Sequence, residues 1–264
     1  MADWNEKTQV EMAHQAQVAA SVGQVSRTPD HIIERFRRCR FWWVFPKEYV
    51  FKSLGQVEGK QIFDFGCGTG EISTQLARMG AYVTGMDISP ELIETAKQRA
   101  SLDGVQDRTQ FIAGDISKSP LPENKFDALV SFAVLHHLDF HSVLPRLLAS
   151  LKPGGLAVIL EPIAFSPLLQ KIRDNVPIRK DADPIERQLN KDDWGFVMAS
   201  LTDSRATFFS LFARLNRILP RTGLMGKIAW ILLGSIDRLL LILVPGLSRF
   251  YGTTAIVGRK LTHS

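Results

Sequence analysis

The segment IFDFGCGTGEIS, residues 62–73, decides the fold of this chain. The apolar run at 61–65 predicts a buried β-strand, and residues 70–79 predict the helix that follows it. Between them lies an Asp-x-Gly-x-Gly-x-Gly pattern, formed by Asp64, Gly66, Gly68 and Gly70. Glycines let a chain turn sharply from strand to helix and let a ligand approach the backbone. The stretch therefore predicts a ligand-binding loop.

Downstream of this loop, short apolar runs alternate with helical patterns. The further predicted strands are 81–87, 109–115, 126–132, 156–162, about 206–213 and 253–259. The further predicted helices are 89–101, 140–151, 192–201 and 227–244, with Ser89 as an N-cap before Pro90. This alternation favours an α/β fold with a doubly wound parallel sheet and right-handed crossovers.

The dinucleotide fingerprint Gly-x-Gly-x-x-Gly is the alternative interpretation of the glycine-rich loop. It requires a glycine at position 71, where this chain has Glu71. Asp64 and Glu71 would also place anionic groups beside a pyrophosphate. A ligand that carries an ammonium and a sulfonium but no phosphate suits these carboxylates better.

The loop resembles motif I of the class I S-adenosylmethionine-dependent methyltransferases, and later segments follow that family's order and spacing. These segments are VTGMDIS (83–89), GDIS (114–117), FDALVSFAVLHHL (126–138) and LKPGG (151–155). The resemblance covers roughly residues 55–162 and, more loosely, the final predicted strand. It implies a Rossmann-like, mainly parallel seven-stranded sheet with an antiparallel last strand and an α-helical insertion before that strand.

The same resemblance implies that S-adenosyl-L-methionine is the cofactor and that the chain is a methyltransferase. Asp87 would accept hydrogen bonds from both ribose hydroxyls, and Asp115 would accept one from the adenine amino group, with Ile116 against the ring. The full set of expected cofactor-binding residues is Asp64, Gly66, Cys67, Gly68, Asp87, Ile88, Asp115, Ile116 and Ser131. Cys67 is expected to fill a small-residue slot in the loop.

Methyl transfer is an in-line displacement that depends on positioning more than on acid–base chemistry. A base helps when the acceptor is a hydroxyl or amine that must lose a proton. Three residues near the carboxyl ends of the fourth and fifth predicted strands are candidates, namely His136, His137 and Glu161. A histidine titrates near neutrality and suits a phenol-like hydroxyl, whereas a packing role is the alternative for either ring.

Residues 1–54 are predicted to form a helical lead and a lid, ahead of a methyltransferase domain at 55–264. Trp42, Trp43 and Phe45 would line an apolar acceptor pocket, while Arg35 or Arg40 meets a carboxylate. Such a lid would exclude water from the reaction. The alternative is a packed amphipathic helix with a basic outer face.

The chain has 32 basic and 27 acidic residues, but the last sixty hold nine basic residues and one acid. That region also contains the apolar stretch 228–247, which lies within the predicted insertion 163–250. Asp237 and Arg238 at its centre disfavour a lipid-exposed span. We predict a helix over 225–249 that lies on a membrane surface, with Arg214, Arg217, Arg221, Lys227 and Arg249 near the headgroups. A buried cap or dimerisation helix is the alternative.

The sequence thus predicts methyl transfer to a small, apolar or lipid-like acceptor, with oxygen as the expected acceptor atom. The alternatives are a nucleic-acid methyltransferase and a cofactor-binding protein without catalysis. Against the former, Ser-Phe-Ala-Val (131–134) replaces the Asn/Asp-Pro-Pro-Tyr/Phe run of base-methylating enzymes, so nucleic acid is an unlikely partner. Two cysteines and the absence of a basic–apolar leader favour a cytoplasmic location, and no metal site is expected.

Overall fold

The computed structural model describes residues 25–116, 118–166, 188–212 and 223–261. Its α-helices are α1 (Asp30–Arg38), α2 (Pro46–Leu54), α3 (Glu71–Arg78), α4 (Pro90–Leu102), α5 (Phe140–Ser150), α6 (Lys191–Ala199) and α7 (Gly223–Leu243). Its strands are β1 (Gln61–Phe65), β2 (Tyr82–Asp87), β3 (Thr109–Ala113), β4 (Phe126–Phe132), β5 (Leu151–Pro162), β6 (Thr202–Phe209) and β7 (Thr253–Arg259). Short 3₁₀ turns occur at Gln106–Arg108, Leu135–His137 and Pro245–Phe250.

The strands of the described ranges form one seven-stranded sheet in the order β3-β2-β1-β4-β5-β7-β6. The first five strands are parallel to their neighbours, whereas β7 runs antiparallel to both β5 and β6. The predicted Rossmann-like α/β fold with an antiparallel last strand is therefore confirmed. The carboxyl ends of β1, β2, β3, β4 and β5 all lie at one edge of the sheet.

Two strands differ from their predicted bounds by more than two residues. β5 begins at Leu151 instead of residue 156, because Leu151 pairs with Phe126 and the next residues bulge out before Leu156 pairs with Ala128. Gly154, in this bulge, has a φ of +71°. β6 covers Thr202–Phe209 instead of about 206–213, because the polar start of the strand pairs with β7 across a register shift.

The core consists of two apolar clusters, one on each face of the sheet. Consecutive residues of β1 contribute to different clusters. Ile62 belongs to the cluster with α2 and α3, and Phe63 belongs to the cluster with α5. Phe63 stacks on Phe126 with 5.0 Å between the ring centroids. Both sides of the sheet are thus covered, as a parallel sheet requires.

Helix α7 lies within the predicted insertion 163–250, of which residues 167–187 and 213–222 fall outside the described ranges. It is 21 residues long and is followed by the turn at Pro245–Phe250. Among the helices that the structure describes, none has the length and apolarity needed to cross a membrane.

Ser89 caps α4, as the sequence predicts. Its backbone is extended, and its hydroxyl accepts a hydrogen bond from the Leu92 N–H at 3.2 Å, with Pro90 in the first turn. The hydroxyl also donates to the Glu91 carboxylate at 2.7 Å. The cap fixes the point at which the chain leaves β2 and enters α4.

We expect Ser89→Ala to lower the free energy of unfolding by about 1 kcal/mol, because the Leu92 N–H loses its partner. Urea denaturation monitored by circular dichroism measures this change. Ser101→Ala, an exposed serine in the last turn of the same helix, is the matched control and should change stability little. Equal losses in the two variants would contradict the capping role.

Candidate active site

At two positions of the glycine-rich loop after β1, only glycine fits both the backbone conformation and the surrounding space. Gly66 has a φ of +70°, and a Cβ there would lie 2.1 Å from a methyl carbon of Val134. Gly70 has a φ of +73°, and its Cβ would lie 2.7 Å from that of Ala96. Between them, a Cβ on Gly68 would meet no atom within 4 Å. The loop is therefore packed closely at both ends and open at its centre, where a ligand can approach the backbone.

The end of β2 holds this loop in place. One carboxylate oxygen of Asp87 accepts the Gly68 N–H at 2.8 Å, and the other accepts the Ser89 N–H at 3.0 Å. The Met86 carbonyl accepts the N–H groups of Gly66 and Cys67 at 2.8 and 3.0 Å. This geometry fits the predicted ribose contact, which stays a prediction.

Asp64 lies beneath the loop and is almost fully buried. One of its carboxylate oxygens accepts the Ser73 hydroxyl at 2.6 Å. Burial raises the pKa of Asp64 to about 6, against the opposing effect of the Ser73 hydrogen bond, and the charge of Asp87 raises it further. The predicted contact of Asp64 with the ammonium of the cofactor stays a prediction.

Cys67 and Ile88 flank the carboxyl end of β2. Cys67 is buried, its Sγ would lie 2.9 Å from a Cβ on Gly85, and burial raises the pKa of its thiol far above the ordinary value. The cysteine thus fills a small space in the loop, as expected, and its thiol is held in the neutral form. Ile88 is partly exposed.

The loop after β3 contains the other two predicted cofactor residues. Asp115 is half-buried, with one carboxylate oxygen 3.3 Å from Lys118 Nζ, and Ile116 is buried in the α5 cluster. Arg146 of α5 fixes the loop by donating to the carbonyls of Ile116 and Ser119. Asp115 therefore lies on a loop that Arg146 holds in place, and its predicted contact with the adenine amino group stays a prediction.

Ser131, at the carboxyl end of β4, supplies a test of whether a polar ligand fits here. Ser131 is fully buried between Phe65 and Ile159, the residues that pair with it in β1 and β5. Its hydroxyl has no hydrogen-bond partner among the residues described. A buried polar atom without a partner is costly. Together with the open backbone at Gly68, this hydroxyl fits a ligand bearing hydroxyl and amino groups.

The three predicted base candidates are in contact, but they differ in exposure. The Glu161 carboxylate is fully buried and accepts the N–H groups of Val134 and Leu135, both at 2.9 Å. Its other oxygen lies 2.7 Å from Nδ1 of His136, whose side chain is also buried. His137 is partly exposed, and its ring centroid lies 4.0 Å from that of His136. Glu161 thus holds both the turn after β4 and the imidazole ring of His136 in place.

The predicted lid residue Arg35 has a carboxylate partner within this chain. Its Nε donates to Glu48 at 2.7 Å, and its guanidinium lies 4.6 Å above the Phe45 ring. The second oxygen of the buried Glu48 accepts the Phe41 N–H at 2.8 Å. Arg35 therefore shapes the segment between α1 and α2, whereas Arg40 is exposed.

The aromatic side chains of this segment pack against α7. Trp43 Nε1 donates to the Ser235 hydroxyl at 3.3 Å, and the Phe45 and Trp230 rings lie 5.3 Å apart. Trp42 is partly exposed, with Lys52 Nζ 4.0 Å from its ring centroid.

An ion pair joins α2 to the helix that follows the glycine-rich loop. Lys47 Nζ lies 2.7 Å from a carboxylate oxygen of Glu71, the first residue of α3. This contact brings the predicted lid segment next to the cofactor loop. The part of the chain that the structure describes contains no group of three or more His, Cys, Asp and Glu side chains arranged to hold a metal ion.

Sequence reasoning missed four residues that hold this site, namely Glu48, Lys47, Ser73 and Arg146. Each acts across a distance of at least seven residues and belongs to no motif with a fixed spacing. Of these four, only Glu48 could have been singled out from the sequence, because it is an acid between aromatic residues in a segment otherwise rich in arginine.

Asp64 gives the folded protein a distinctive pH dependence. Because its pKa is raised from the ordinary value of 3.8 to about 6, the folded protein keeps a proton between pH 4 and 6 that the unfolded chain releases. The contribution of Asp64 to the free energy of unfolding is therefore greatest below pH 4, falls as the pH rises to 6, and is constant above that. Asp64→Asn should lack this decline, which amounts to at most about 3 kcal/mol.

Urea denaturation of both proteins between pH 4 and 7 checks this expectation. The exposed Asp107→Asn is the control and should follow the parent protein at every pH. Parallel curves for the parent protein and Asp64→Asn would show that the Asp64 carboxyl ionises normally.

Comparison with known proteins agrees with this geometry. A family described as "Methyltransferase domain" matches residues 63–159. The "Ubiquinone biosynthesis O-methyltransferase, mitochondrial" of Schizosaccharomyces pombe is 41% identical over 112 residues, which are 42% of this chain and 40% of that protein. The "Sterol 24-C-methyltransferase ERG6B" of Gibberella zeae is 32% identical over 117 residues, 44% of this chain and 31% of that protein. The chain thus spans less than half the length of these two relatives.

A solved structure shows the same fold over most of the chain. Geranyl diphosphate C-methyltransferase from Streptomyces coelicolor A3(2), in complex with Mg²⁺, geranyl diphosphate and S-adenosyl-L-homocysteine, superposes with a TM-score of 0.59. It is 16% identical, and the superposition covers 81% of this chain and 78% of that one. Residues 63–159 of this chain thus match a methyltransferase-domain family, and most of the chain shares the fold of a solved methyltransferase.

Proposed function

We propose that this protein transfers a methyl group from S-adenosyl-L-methionine to an oxygen atom of a small, apolar, lipid-like acceptor. The observation that carries the proposal is the aromatic segment Trp42–Phe45, which packs against α7 and is followed by Lys47, whose ammonium pairs with Glu71 at the start of α3. An apolar wall beside the methyl donor selects an apolar acceptor. The relatives named for ubiquinone biosynthesis and for sterol methylation support this acceptor class.

The cofactor would be held by the residues at the carboxyl edge of the sheet. Asp87 would accept the ribose hydroxyls, Asp115 the adenine amino group, and Ile116 would face the ring. Gly68 presents open backbone, and the buried Ser131 hydroxyl has bonding capacity to offer. When bound, S-adenosyl-L-methionine supplies an electrophilic methyl group on a sulfonium.

Oxygen is the proposed acceptor atom because a histidine capable of taking its proton lies at this edge. Glu161 and His136 are both buried and hydrogen-bonded to each other, so we assign them positioning roles. His137 is partly exposed and packs on His136, and we assign it the role of general base. The relative named as an O-methyltransferase is 41% identical to this chain over the matched segment, which also favours oxygen.

The lid contributes by excluding water and by orienting the acceptor. Trp42 and Trp43 are both partly exposed, so each ring offers apolar surface to a planar acceptor. Arg40 is exposed and is the cation that would meet a carboxylate on the acceptor, since Arg35 is bound to Glu48. A closed lid favours transfer because electrostatic interactions are stronger in a dry site.

A lipid-like acceptor places the reaction beside a bilayer. We propose that the protein is cytoplasmic and acts as a peripheral protein on the inner face of a membrane. The basic residues between Arg214 and Arg249 support this location, because anionic lipids are enriched in the cytoplasmic leaflet of the membrane.

The proposal is tested by incubating the protein with isotope-labelled S-adenosyl-L-methionine and a total lipid extract, then identifying labelled products by mass spectrometry. We expect the label on an oxygen of an apolar product. Label on carbon or on nucleic acid would overturn the proposal. Cofactor binding by calorimetry without any labelled product would instead identify a binding protein without catalysis.

His137→Gln should lower kcat by about 100-fold, because the acceptor hydroxyl loses its base, while cofactor affinity stays unchanged. Steady-state kinetics on the acceptor identified above measures this effect. The control is His141→Gln, whose half-exposed side chain lies on α5 and contacts Phe196, and it should stay within about twofold of the parent. Equal activity of His137→Gln and the parent would exclude His137 as the base.

A further inference from the structure

Helix α7 exposes a continuous stripe of large aliphatic side chains. They recur at intervals of three and four residues, which places them on one face of the helix. The stripe, called the apolar stripe below, consists of Met225, Ile228, Leu232, Ile236, Leu239, Ile242 and Leu243. Leu232 is 59% exposed and Leu243 is 67% exposed. Contiguous apolar surface of this kind marks an interaction site.

Cations lie at both ends of this stripe, and no acid opposes them on its exposed face. Lys227 is exposed at the first turn of α7, and Arg249 is exposed in the turn that follows the helix. The only acid between residues 223 and 250 is Asp237, which is 3% exposed. Its carboxylate accepts the N–H groups of Leu211 and Phe212 at 2.9 and 2.8 Å.

This charge pattern selects an anionic lipid surface over a second copy of the chain. A two-fold antiparallel pairing of two α7 helices would bring Lys227 of one copy toward Arg249 of the other, with no acid between them. An anionic leaflet instead attracts both ends of the helix while the aliphatic side chains enter the acyl region.

The opposite face of α7 is packed on the lid. Gly234 allows the closest approach, since a Cβ there would lie 2.5 Å from a methyl carbon of Val44. The Trp43–Ser235 hydrogen bond and the Phe45–Trp230 ring contact lie on either side of it. The lid in turn reaches the first residue of α3 through the Lys47–Glu71 ion pair. A continuous series of contacts therefore joins the apolar stripe to the helix that follows the cofactor loop.

We propose that the apolar stripe of α7 docks on an anionic lipid surface, and that docking stabilises the packing of the lid over the cofactor site. This inference rests on the proposed function for the cofactor site, the lid and the membrane location. Docking restrains α7, α7 restrains the lid, and the lid restrains α3. Because such coupling is reciprocal, the lipid surface increases cofactor affinity and the cofactor increases lipid affinity by the same factor.

Docking is tested by co-sedimentation with vesicles of phosphatidylcholine alone or mixed with phosphatidylglycerol. We expect binding to the mixed vesicles and its loss on raising the salt concentration. The double variant Leu232→Glu/Leu239→Glu should bind at least about tenfold more weakly. The matched control is Leu102→Glu/Leu261→Glu, two exposed leucines outside α7, which should bind as the parent does.

The double variant Lys227→Glu/Arg249→Glu tests whether docking requires positive charge, and it keeps the apolar stripe intact. It should lose the preference for phosphatidylglycerol, and it tests docking even if the leucine variant fails to fold by circular dichroism. Absence of binding by the parent protein at low salt would overturn docking. Concentration-dependent self-association that Leu232→Glu/Leu239→Glu abolishes would instead assign the stripe to a second copy.

Coupling is tested by calorimetry of S-adenosyl-L-methionine with and without the mixed vesicles. We expect the vesicles to tighten cofactor binding by at least about fivefold. Gly234→Ala should still bind the vesicles, because its apolar stripe is unchanged, but should lose the tightening, because its methyl group displaces Val44. Equal cofactor affinity with and without vesicles would overturn the coupling. Neither measurement requires an acceptor, so both outcomes are independent of whether the proposed methylation is found.

Discussion

The hydrogen bonds of the Asp87 carboxylate are the interactions on which the glycine-rich loop depends. The carboxylate accepts one N–H from the glycine-rich loop and one from the N-terminal boundary of α4, so a single side chain fixes both connections at the end of β2. Gly66 and Gly70 complete the constraint, because each packs against a side chain with no room for a Cβ. A loop held in this way need not be ordered by the ligand, which reduces the entropy that binding would cost.

Buried carboxylates repeat this arrangement elsewhere in the protein. Glu161 holds the turn after β4, Glu48 holds the segment between α1 and α2, and Asp237 holds the chain after β6. Each accepts at least one backbone N–H of an irregular segment that has no sheet or helix partner for that group. Buried acids are therefore the means by which this sheet supports shaped loops, and their removal would leave unpaired donors in the interior.

The parallel strands could be predicted closely because each is a short apolar run bounded by turn residues. The bounds of β1, β4 and β7 agree with the sequence, and Ser89 caps α4 as expected. The early start of β5 could not be predicted, because it depends on the pairing of Leu151 with Phe126 across a bulge. Local sequence contains no information about such a partner in another strand.

The candidate site could likewise be predicted only where its residues belong to local motifs. The glycines and Asp87 belong to a local motif, and the structure places them together at the end of β1 and β2. The bond between Arg35 and Glu48, and the burial of Glu161 and His136, arise from packing between distant segments. Sequence could therefore nominate three base candidates, but only their relative exposure separates His137 from the other two.

The order of the sheet has a consequence for the way this chain is synthesised. β7 lies between β5 and β6, although it follows both of them in the chain. While β7 is still within the ribosome, β6 has no neighbour to pair with and β5 has an open edge. The half of the sheet that includes β1, β2 and β3 can form early during translation, whereas the other half must wait for Thr253–Arg259 to emerge. The exposed edge of β5 is then a site where chaperones or other nascent chains can bind.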